Sequence, residues 1–160
     1  MRIHFTGIAG AGMSAAALML RDAGHQVSGS DAEAFPPMST YVEGLGFPFH
    51  RSFDAANLPE DLDVLVLGAS AKLGGADNPE VAEAGRRGVT VTTFPELIGE
   101  VTAARRNTVV AGSFGKSTCS ALMAHVLRSA GHDSGWMIGA ISPSLPATGH
   151  WGSEPQVVLE

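Results

Sequence analysis

The stretch that decides the fold is Thr108 to Thr118, which reads T-V-V-A-G-S-F-G-K-S-T. Its first residues, Thr108 to Ala111, are β-branched and apolar, which is typical of a buried strand. Gly112-Ser113-Phe114-Gly115 follows as a turn in which two residues have no Cβ to hinder the backbone. Lys116-Ser117-Thr118 then begins a helix, because apolar residues recur at helical spacing at Cys119, Leu122, Met123 and Val126. The sequence therefore predicts a strand, a glycine turn and a helix in direct succession.

This succession is typical of a loop that binds phosphate. The backbone N–H groups of the turn and the N-terminus of the helix face an anion. Lys116 can reach a β- or γ-phosphate, and the Ser117 hydroxyl suits a Mg²⁺ ligand. The general pattern has a glycine where this chain has Val110, so a tight strand–helix turn with an exposed lysine is the alternative. We interpret the stretch as a nucleoside triphosphate site.

A second glycine loop lies at the start of the chain. Ile3 to Thr6 predicts a strand, the apolar face of a helix follows from Met13 to Leu20, and Gln26 to Ser30 predicts a second strand. Between the strands, Gly10-x-Gly12-x-x-Ala15 fits the dinucleotide fingerprint, and Asp31 occupies the usual place of a ribose-binding acid. Tight helix–strand packing without a ligand, and a turn role for the aspartate, are the alternatives.

The remaining patterns complete an α/β fold with parallel strands. The further predicted elements are a helix capped by Ser39 and ending at Leu45, a strand at Phe47–His50, a helical turn at Asp54–Leu58, a buried strand at Asp63–Gly68, a helix from Asn78-Pro79 to Gly88, a strand at Val89–Thr92, a helix from Phe94 to Val101, a strand at Gly135–Ile138, a loop from Ser142 to Ser153 and a strand at Gln156–Leu159. Ala69-Ser70-Ala71 is expected to face the same crevice as the first glycine loop. We predict a Rossmann-like parallel sheet domain at residues 1–104, followed at 105–160 by the start of a P-loop α/β ATPase domain.

Composition narrows the class of protein. Of the 160 residues, 44% are hydrophobic and 16% charged, which is enough apolar material for a core. The net charge of −6 argues against a nucleic-acid partner, and the absence of a leader or a long apolar run predicts a cytoplasmic protein without membrane contact. Cys119 is the single cysteine and is expected to pack in the core, and the six histidines have no metal-binding spacing. Because the chain stops inside an apolar strand, we expect it to be the front part of a longer protein.

Two nucleotide loops about a hundred residues apart are an unusual combination. The chain resembles the Mur ligase family, ATP-dependent amide ligases of bacterial cell-wall synthesis. The matching stretches are G-I-A-G-A-G-M-S at 7–14, S-G-S-D at 28–31, N-P-E at 78–80 and A-G-S-F-G-K-S-T at 111–118. They resemble the branch of the family that acts on UDP-N-acetylmuramate. P-P-M-S-T at 36–40, and Ser52-Phe53 where the alanine ligase carries Gly-His, are more similar to the muropeptide ligase than to the L-alanine ligase.

The resemblance implies a site for each nucleotide. The substrate's UDP group would be bound by Gly10, Ala11, Gly12, Met13, Ser14, Asp31 and Ser70. ATP would be bound by Gly112, Ser113, Phe114, Gly115, Lys116, Ser117 and Thr118, with Lys116 as the catalytic residue and Ser117 and Glu160 as Mg²⁺ ligands. The resemblance further implies that ATP phosphorylates the substrate carboxylate and that the amine of L-alanine or a peptide then attacks the acyl phosphate.

One departure from the family and two alternative functions stay open. The family usually has Thr-His-Gly-Lys-Thr in the phosphate loop, whereas this chain has an apolar Phe114 in place of the histidine. A sugar-nucleotide-binding protein with a decayed phosphate loop is one alternative. An NAD-dependent oxidoreductase is the other, although hydride transfer has no use for a second glycine loop with Lys116-Ser117. The adenine site and the amine-binding domain of the family have no counterpart in this sequence, so the chain alone is expected to be inactive.

Overall fold

A computed structural model of the chain describes residues 1–68 and 77–160. The first sheet contains five strands: β1 (Arg2–Thr6), β2 (Gln26–Ser30), β3 (Phe49–His50), β4 (Val64–Leu67) and β5 (Thr90–Thr93). All of its strand pairs are parallel, in the order β3-β2-β1-β4-β5. The predicted central strands therefore lie side by side and parallel, and the α/β fold class is confirmed.

Helices connect these strands and cover the sheet. They are α1 (Ala11–Asp22), α2 (Met38–Gly44), α3 (Pro79–Arg87) and α4 (Phe94–Thr102), with a single 3-10 turn at Ala55–Asn57. The Asn78 side chain accepts a hydrogen bond from the Glu80 N–H and so caps α3, as Asn-Pro at a helix start predicts. Ser39 was predicted to cap α2, but this is wrong: α2 begins at Met38, after Pro37, and Ser39 is buried inside the helix. The Ser39 side chain is buried by tertiary packing, and no local sequence pattern predicts this.

A second sheet follows after Arg105. Its elements are β6 (Arg106–Val109), α5 (Lys116–Ser129), β7 (Gly135–Met137), β8 (Gly149–His150) and β9 (Gln156–Leu159). The strand order is β6-β9-β7-β8, parallel except for β8. The strand β8 lies inside the segment that was predicted to be a loop, and a two-residue strand leaves too short a pattern to detect.

Helix α1 joins the two sheets. Eight consecutive residues, Met13 to Leu20, are buried, so the helix is enclosed on all sides and not only along the predicted face. It packs against β2 of the first sheet and against β7 and β8 of the second. The approach to β8 is so close that a Cβ on Gly149 would lie 2.0 Å from the Ala15 carbonyl oxygen. Small residues on α1 and β8 therefore allow this helix to pack closely against the second sheet as well as the first.

The apolar face predicted for α5 is wrong. Leu122, Met123 and Val126 are 61%, 39% and 55% exposed, and Cys119, expected in the core, is exposed too. The helix instead buries Ala121 and Ala124 against a cluster that includes Trp136, Ile138 and Val158. Periodicity identifies a stripe of apolar residues, but the small alanines are what let the helix approach this sheet closely.

Within the described residues, no helix is both long and apolar enough to cross a lipid bilayer.

Candidate functional site

The first glycine loop is held by the end of strand β2. The N–H groups of Gly7 and Ile8 both donate to the Ser30 carbonyl oxygen, at 2.7 and 3.1 Å, and the Gly10 N–H donates to the Gly7 carbonyl at 3.2 Å. Gly7 has a φ of 90°, in the left-handed region that favours glycine. These bonds turn the chain sharply from β1 into α1.

Asp31 holds the same loop from the other side. Its Oδ2 accepts a hydrogen bond from the Ala9 N–H and its Oδ1 one from the Glu33 N–H, both at 3.0 Å. The residue predicted to bind a ribose therefore also anchors the loop, and it lines the cavity described below. Each carboxylate oxygen keeps a further lone pair that can accept a hydrogen bond from a ligand.

The N-terminus of α1 points its free N–H groups toward this loop. Because α1 begins at Ala11, the N–H groups of Ala11, Gly12 and Met13 have no acceptor within the helix. The Met13 and Ser14 side chains are buried, and the Ser14 hydroxyl donates to the Ala11 carbonyl at 3.0 Å. The Ser14 N–H also donates to the Gly10 carbonyl at 2.9 Å, so both donors of this residue are occupied, whereas Met13 lines the cavity described below. Backbone N–H groups at a helix N-terminus bind anions.

A cavity of about 610 Å³ opens at this edge of the first sheet. Its lining combines the glycine loop and Asp31 with the segment from Ala32 to Met38 and two further aromatic side chains, Phe53 and Phe94. A cleft of this size, apolar with a few polar groups, is typical of a nucleotide or cofactor site. It also lies where ligands bind in parallel sheets, beyond the carboxyl ends of the strands. The predicted contact Ser70 lies outside the described residues.

The second glycine loop precedes α5. Gly112 and Gly115 have φ values of 153° and 74°, and Gly115 occupies the N-cap position of the helix. Lys116 is the first residue of α5, and within residues 1–68 and 77–160 its ammonium group has no hydrogen bond or ion pair. The Phe114 side chain is 96% exposed, so it fills no part of the loop. A free cation thus stands at a helix N-terminus beside an open loop.

The two residues predicted to bind Mg²⁺ are in contact. The Ser117 hydroxyl donates to Glu160 Oε1 at 2.6 Å, and the Gly139 N–H donates to Glu160 Oε2 at 3.0 Å. The parallel pairing of β9 with β6 and β7 brings Glu160 to the loop, since it follows the last residue of β9. A hydroxyl and a carboxylate at this distance are oxygen donors of the kind that Mg²⁺ prefers, so these residues fit the ion. Their roles stay predictions.

The two glycine loops meet at Gly139. A Cβ built on this residue would lie 3.8 Å from Glu160 Oε2 and 3.8 Å from the Gly12 nitrogen. The Glu160 carboxylate, which is hydrogen-bonded to Ser117, and the N-terminus of α1 are therefore neighbours of the same glycine. The first glycine loop and the residues predicted to bind Mg²⁺ therefore lie on either side of Gly139.

A buried carboxylate, Glu80 of the N-P-E stretch, lies near the first loop, and the sequence did not predict its burial or its partners. Glu80 is fully buried, and its Oε2 accepts hydrogen bonds from the Thr6 and Ser30 hydroxyls, both at 2.7 Å. Its Oε1 accepts one from Asn57 Nδ2 at 2.9 Å and lies 3.6 Å from His4 Nε2. We call these five residues the Glu80 cluster. The motif N-P-E signals the helix start, but nothing local signals partners that lie 23 to 76 residues away.

The charge of Glu80 is stabilised by this cluster. Burial alone would raise the pKa of the carboxyl group, but the nearby His4 ring and the hydrogen bonds from Asn57, Ser30 and Thr6 outweigh it and lower the pKa below the usual range of a glutamate. The first residues of α3 contribute in the same direction, because a helix N-terminus favours a negative charge. Glu80 is therefore an ionised group at neutral pH.

Comparison with known proteins gives one family. The profile described as "Mur ligase family, catalytic domain" matches residues 2–106. Among curated relatives, the UDP-N-acetylmuramate–L-alanyl-gamma-D-glutamyl-meso-2,6-diaminoheptandioate ligase of Escherichia coli K12 is 32% identical, over 100% of this chain and 35% of the relative. The UDP-N-acetylmuramate–L-alanine ligase of Paenarthrobacter aurescens is 37% identical, over 99% of this chain and 34% of the relative. The chain thus spans about a third of the length of these relatives.

Solved structures agree with the curated relatives. The UDP-N-acetylmuramate-alanine ligase of Thermotoga maritima superposes with a TM-score of 0.88 at 30% identity, over 99% of this chain and 36% of that one. The UDP-N-acetylmuramate:L-alanyl-gamma-D-glutamyl-meso-diaminopimelate ligase of Neisseria meningitides superposes with a TM-score of 0.83 at 33% identity, over 99% of this chain and 52% of that one. The arrangement of both sheets in this chain is therefore similar to that in solved ligases.

Proposed function

The chain belongs to the Mur ligase family, and from that premise we propose that it supplies the two nucleotide sites of an ATP-dependent ligase acting on UDP-N-acetylmuramate. The ligase joins the lactyl carboxylate of the sugar to an amine, in the synthesis or recycling of peptidoglycan. Residues 1–104 would form the UDP-sugar domain, and residues 105–160 part of the ATP-binding domain. Both nucleotides are cytoplasmic metabolites, so we propose the same location for the protein.

The UDP group is assigned to the 610 Å³ cavity. The free N–H groups of Ala11, Gly12 and Met13, with the positive end of α1, suit a diphosphate. Asp31 and the aromatic side chains of the lining suit a nucleoside, since one offers hydrogen-bond acceptors and the others offer flat apolar surfaces.

ATP is assigned to the loop from Gly112 to Thr118. Lys116 places a positive charge where the β- and γ-phosphates would lie and stabilises the charge of the phosphoryl group during transfer. Ser117 and Glu160 would hold Mg²⁺, which neutralises phosphate charge when bound. The exposed Phe114 leaves the loop open, which supports a working phosphate site over a decayed one.

The proximity of both sites to Gly139 is the observation that carries the proposal. A ligase that activates a carboxylate must bring the γ-phosphate of one ligand to an oxygen of the other, within a few ångströms. The Gly12 nitrogen of the first loop and Glu160 Oε2, whose partner Ser117 follows the second loop, each lie 3.8 Å from a Cβ built on Gly139. Two unrelated nucleotide sites would have no reason to adjoin in this way. The acyl phosphate would form at this junction, and attack by the amine would release phosphate.

For the amine we propose the tripeptide L-alanyl-γ-D-glutamyl-diaminopimelate. The segment Pro36–Thr40 and the pair Ser52-Phe53 resemble the muropeptide ligase, and relatives that use L-alanine match the chain as well. The test is ADP release by the full-length protein with UDP-N-acetylmuramate and either amine. Turnover with L-alanine alone would reassign the amine and leave the UDP-sugar site unchanged.

Parallel calorimetric titrations of the full-length protein test the two nucleotide sites, since the adenine site of the family has no counterpart in this sequence. UDP-N-acetylmuramate and MgATP should each bind with a stoichiometry of one, and NAD should not bind. Binding of the UDP-sugar without MgATP would favour the sugar-nucleotide-binding protein. Binding of NAD in place of the UDP-sugar would refute the proposal in favour of an oxidoreductase.

A further inference from the structure

We propose that Glu80 is a positioning residue, whose buried carboxylate sets the first glycine loop in the geometry that receives the diphosphate. The inference rests on the proposed UDP site, and it assigns a function to a residue that touches no ligand. Glu80 lies on α3, beside the sheet. Two hydrogen bonds join its carboxylate to the last residues of β1 and β2, and the glycine loop follows β1.

The first step is the attachment of Glu80 to two strand ends. Thr6 is the last residue of β1 and Ser30 the last residue of β2, and both hydroxyls donate to the same oxygen, Oε2, at 2.7 Å. One carboxylate oxygen therefore ties the adjacent carboxyl ends of two parallel strands. Those ends are where the glycine loop and the Asp31 turn begin.

The second step leads from the strand ends to the loop. The carbonyl oxygen of Ser30 accepts the hydrogen bonds of both Gly7 and Ile8, and the next residue, Asp31, accepts that of Ala9. Fixing the Ser30 side chain fixes the acceptor that turns the loop toward α1. A shift of this acceptor would move the N–H groups that face the diphosphate, and binding is sensitive to misplacements of about 1 Å.

The third step concerns the charge. All the neighbours of the carboxylate are donors or can act as donors: two hydroxyls, the Asn57 amide and the His4 ring. The Asn57 amide also donates to the Ser52 carbonyl at 2.7 Å, and the His4 ring is hydrogen-bonded to the Ser28 hydroxyl at 2.8 Å. These bonds orient the Asn57 amide and the His4 ring independently of Glu80. A glutamine would bring two N–H donors into a site built for an acceptor, so at least two hydroxyls or the amide must reorient.

The experiment compares Glu80→Gln with a control on the same helix, Glu83→Gln. Glu83 pairs with Arg86 and Arg87 at the surface, away from the loop. The affinity of the chain for UDP is measured by calorimetry, and hydrogen exchange is followed at the Gly7 and Ile8 amides and, as an internal reference, at Val158 in the second sheet. We expect Glu80→Gln to weaken UDP binding roughly tenfold and to speed exchange at Gly7 and Ile8 but not at Val158. Glu83→Gln should leave both unchanged.

The outcomes separate positioning from simple stability. Unchanged UDP affinity and unchanged loop exchange in a folded Glu80→Gln variant would overturn the inference, and so would exchange that rises equally at Val158, since that is a global loss of stability. Weaker UDP binding with unchanged loop exchange would overturn it as well. If Glu80→Gln does not fold, Thr6→Val removes one donor at constant shape and carries the same test. If the wild-type chain fails to bind UDP, the proposed function fails, and the exchange data still decide the role of Glu80.

Discussion

At the scale of single residues, the second glycine loop concentrates its chemistry in three side chains. Lys116 has no partner among the described residues, whereas Ser117 and Glu160 already share a hydrogen bond of 2.6 Å. A charged group that the protein leaves without a partner is available to a ligand. Lys116 is therefore the proposed phosphate-binding group, and Ser117 and Glu160 are the proposed Mg²⁺ ligands.

Lys116→Ala should weaken MgATP binding and leave UDP-N-acetylmuramate binding unchanged. Loss of one charge-assisted contact costs about 1.5–3 kcal/mol, roughly tenfold to over a hundredfold in a dissociation constant. Calorimetry with each nucleotide measures the difference. Arg128→Ala, at the far end of the same helix, is the matched control and should affect neither ligand. Equal MgATP affinity in wild type and Lys116→Ala would refute the assignment of the loop.

At the scale of elements, helix α1 packs between the two sheets and contacts both. Its residues Met13 to Leu20 are buried because the first sheet packs on one side and β7 and β8 on the other. The second contact needs a glycine at position 149, where any Cβ would overlap the Ala15 carbonyl oxygen. The same helix presents its N-terminus to the first cavity, so packing between the sheets also fixes the proposed phosphate site.

Two glycine substitutions should change stability in opposite directions. Gly149→Ala forces β8 away from α1, and overpacking of this kind typically costs about 1–3 kcal/mol. Gly85→Ala lies on α3 with nothing within 4 Å of the new Cβ, and alanine in place of glycine in a helix gains about 1 kcal/mol. Urea unfolding of both variants measures the two shifts. A Gly149→Ala variant as stable as wild type would contradict the described contact.

At the scale of the whole molecule, a cluster of polar contacts around His150 links helix α1 to the second sheet. The His150 ring contacts Asp22 Oδ2 of α1 through Nδ1 at 2.6 Å and Asp133 Oδ1 through Nε2 at 2.7 Å. The hydrogen bond from His150, with those from Ser153, lowers the pKa of Asp133 from 3.8 to about 2. The Asp133 carboxylate therefore binds a proton less readily in the folded chain than in the unfolded chain.

The stability contributed by Asp133 should depend on pH in a defined window. Because the folded pKa is the lower one, the contribution is complete above about pH 4 and is lost as the pH falls toward 2. Unfolding free energies of wild type and Asp133→Asn should therefore differ above pH 4 and converge near pH 2. Glu60→Gln, a surface carboxylate without a hydrogen bond or ion pair in the described parts of the chain, should show no such convergence. A difference that stays constant down to pH 2 would rule out the ionised Asp133 as its source.

Substitutions at Gly139 test whether the two nucleotides bind next to each other. A Cβ fits there, at 3.8 Å from its nearest neighbours, so Gly139→Ala should fold and bind both nucleotides as wild type does. A leucine at this position extends into the space between the loops. We expect Gly139→Leu to bind each nucleotide alone but to lose at least tenfold in affinity for the second when the first is bound. Undisturbed simultaneous binding would show that the ligands do not meet at this junction.

The sequence by itself determined much of the local structure of this chain, although not the start of α2 or the strand β8. Short patterns predict the βαβ unit, both glycine turns, the start of α3 at Asn78-Pro79 and the parallel α/β class, because backbone conformation depends on neighbouring residues. The position of Ser117 at a helix start could be predicted for the same reason. Its contact with Glu160 could not be deduced from spacing, and it was expected only through resemblance to a family.

Only the tertiary structure decided which surfaces and distant groups meet. It buries Ala121 and Ala124 of α5 and exposes the larger Leu122 and Val126, because close packing depends on the shape of the partner surface. It also encloses α1 between two sheets and places Glu80 beneath the glycine loop, with Thr6 and Ser30 as its partners. These contacts join residues that lie far apart in the chain. Long-range packing selects them, and no local pattern carries that information.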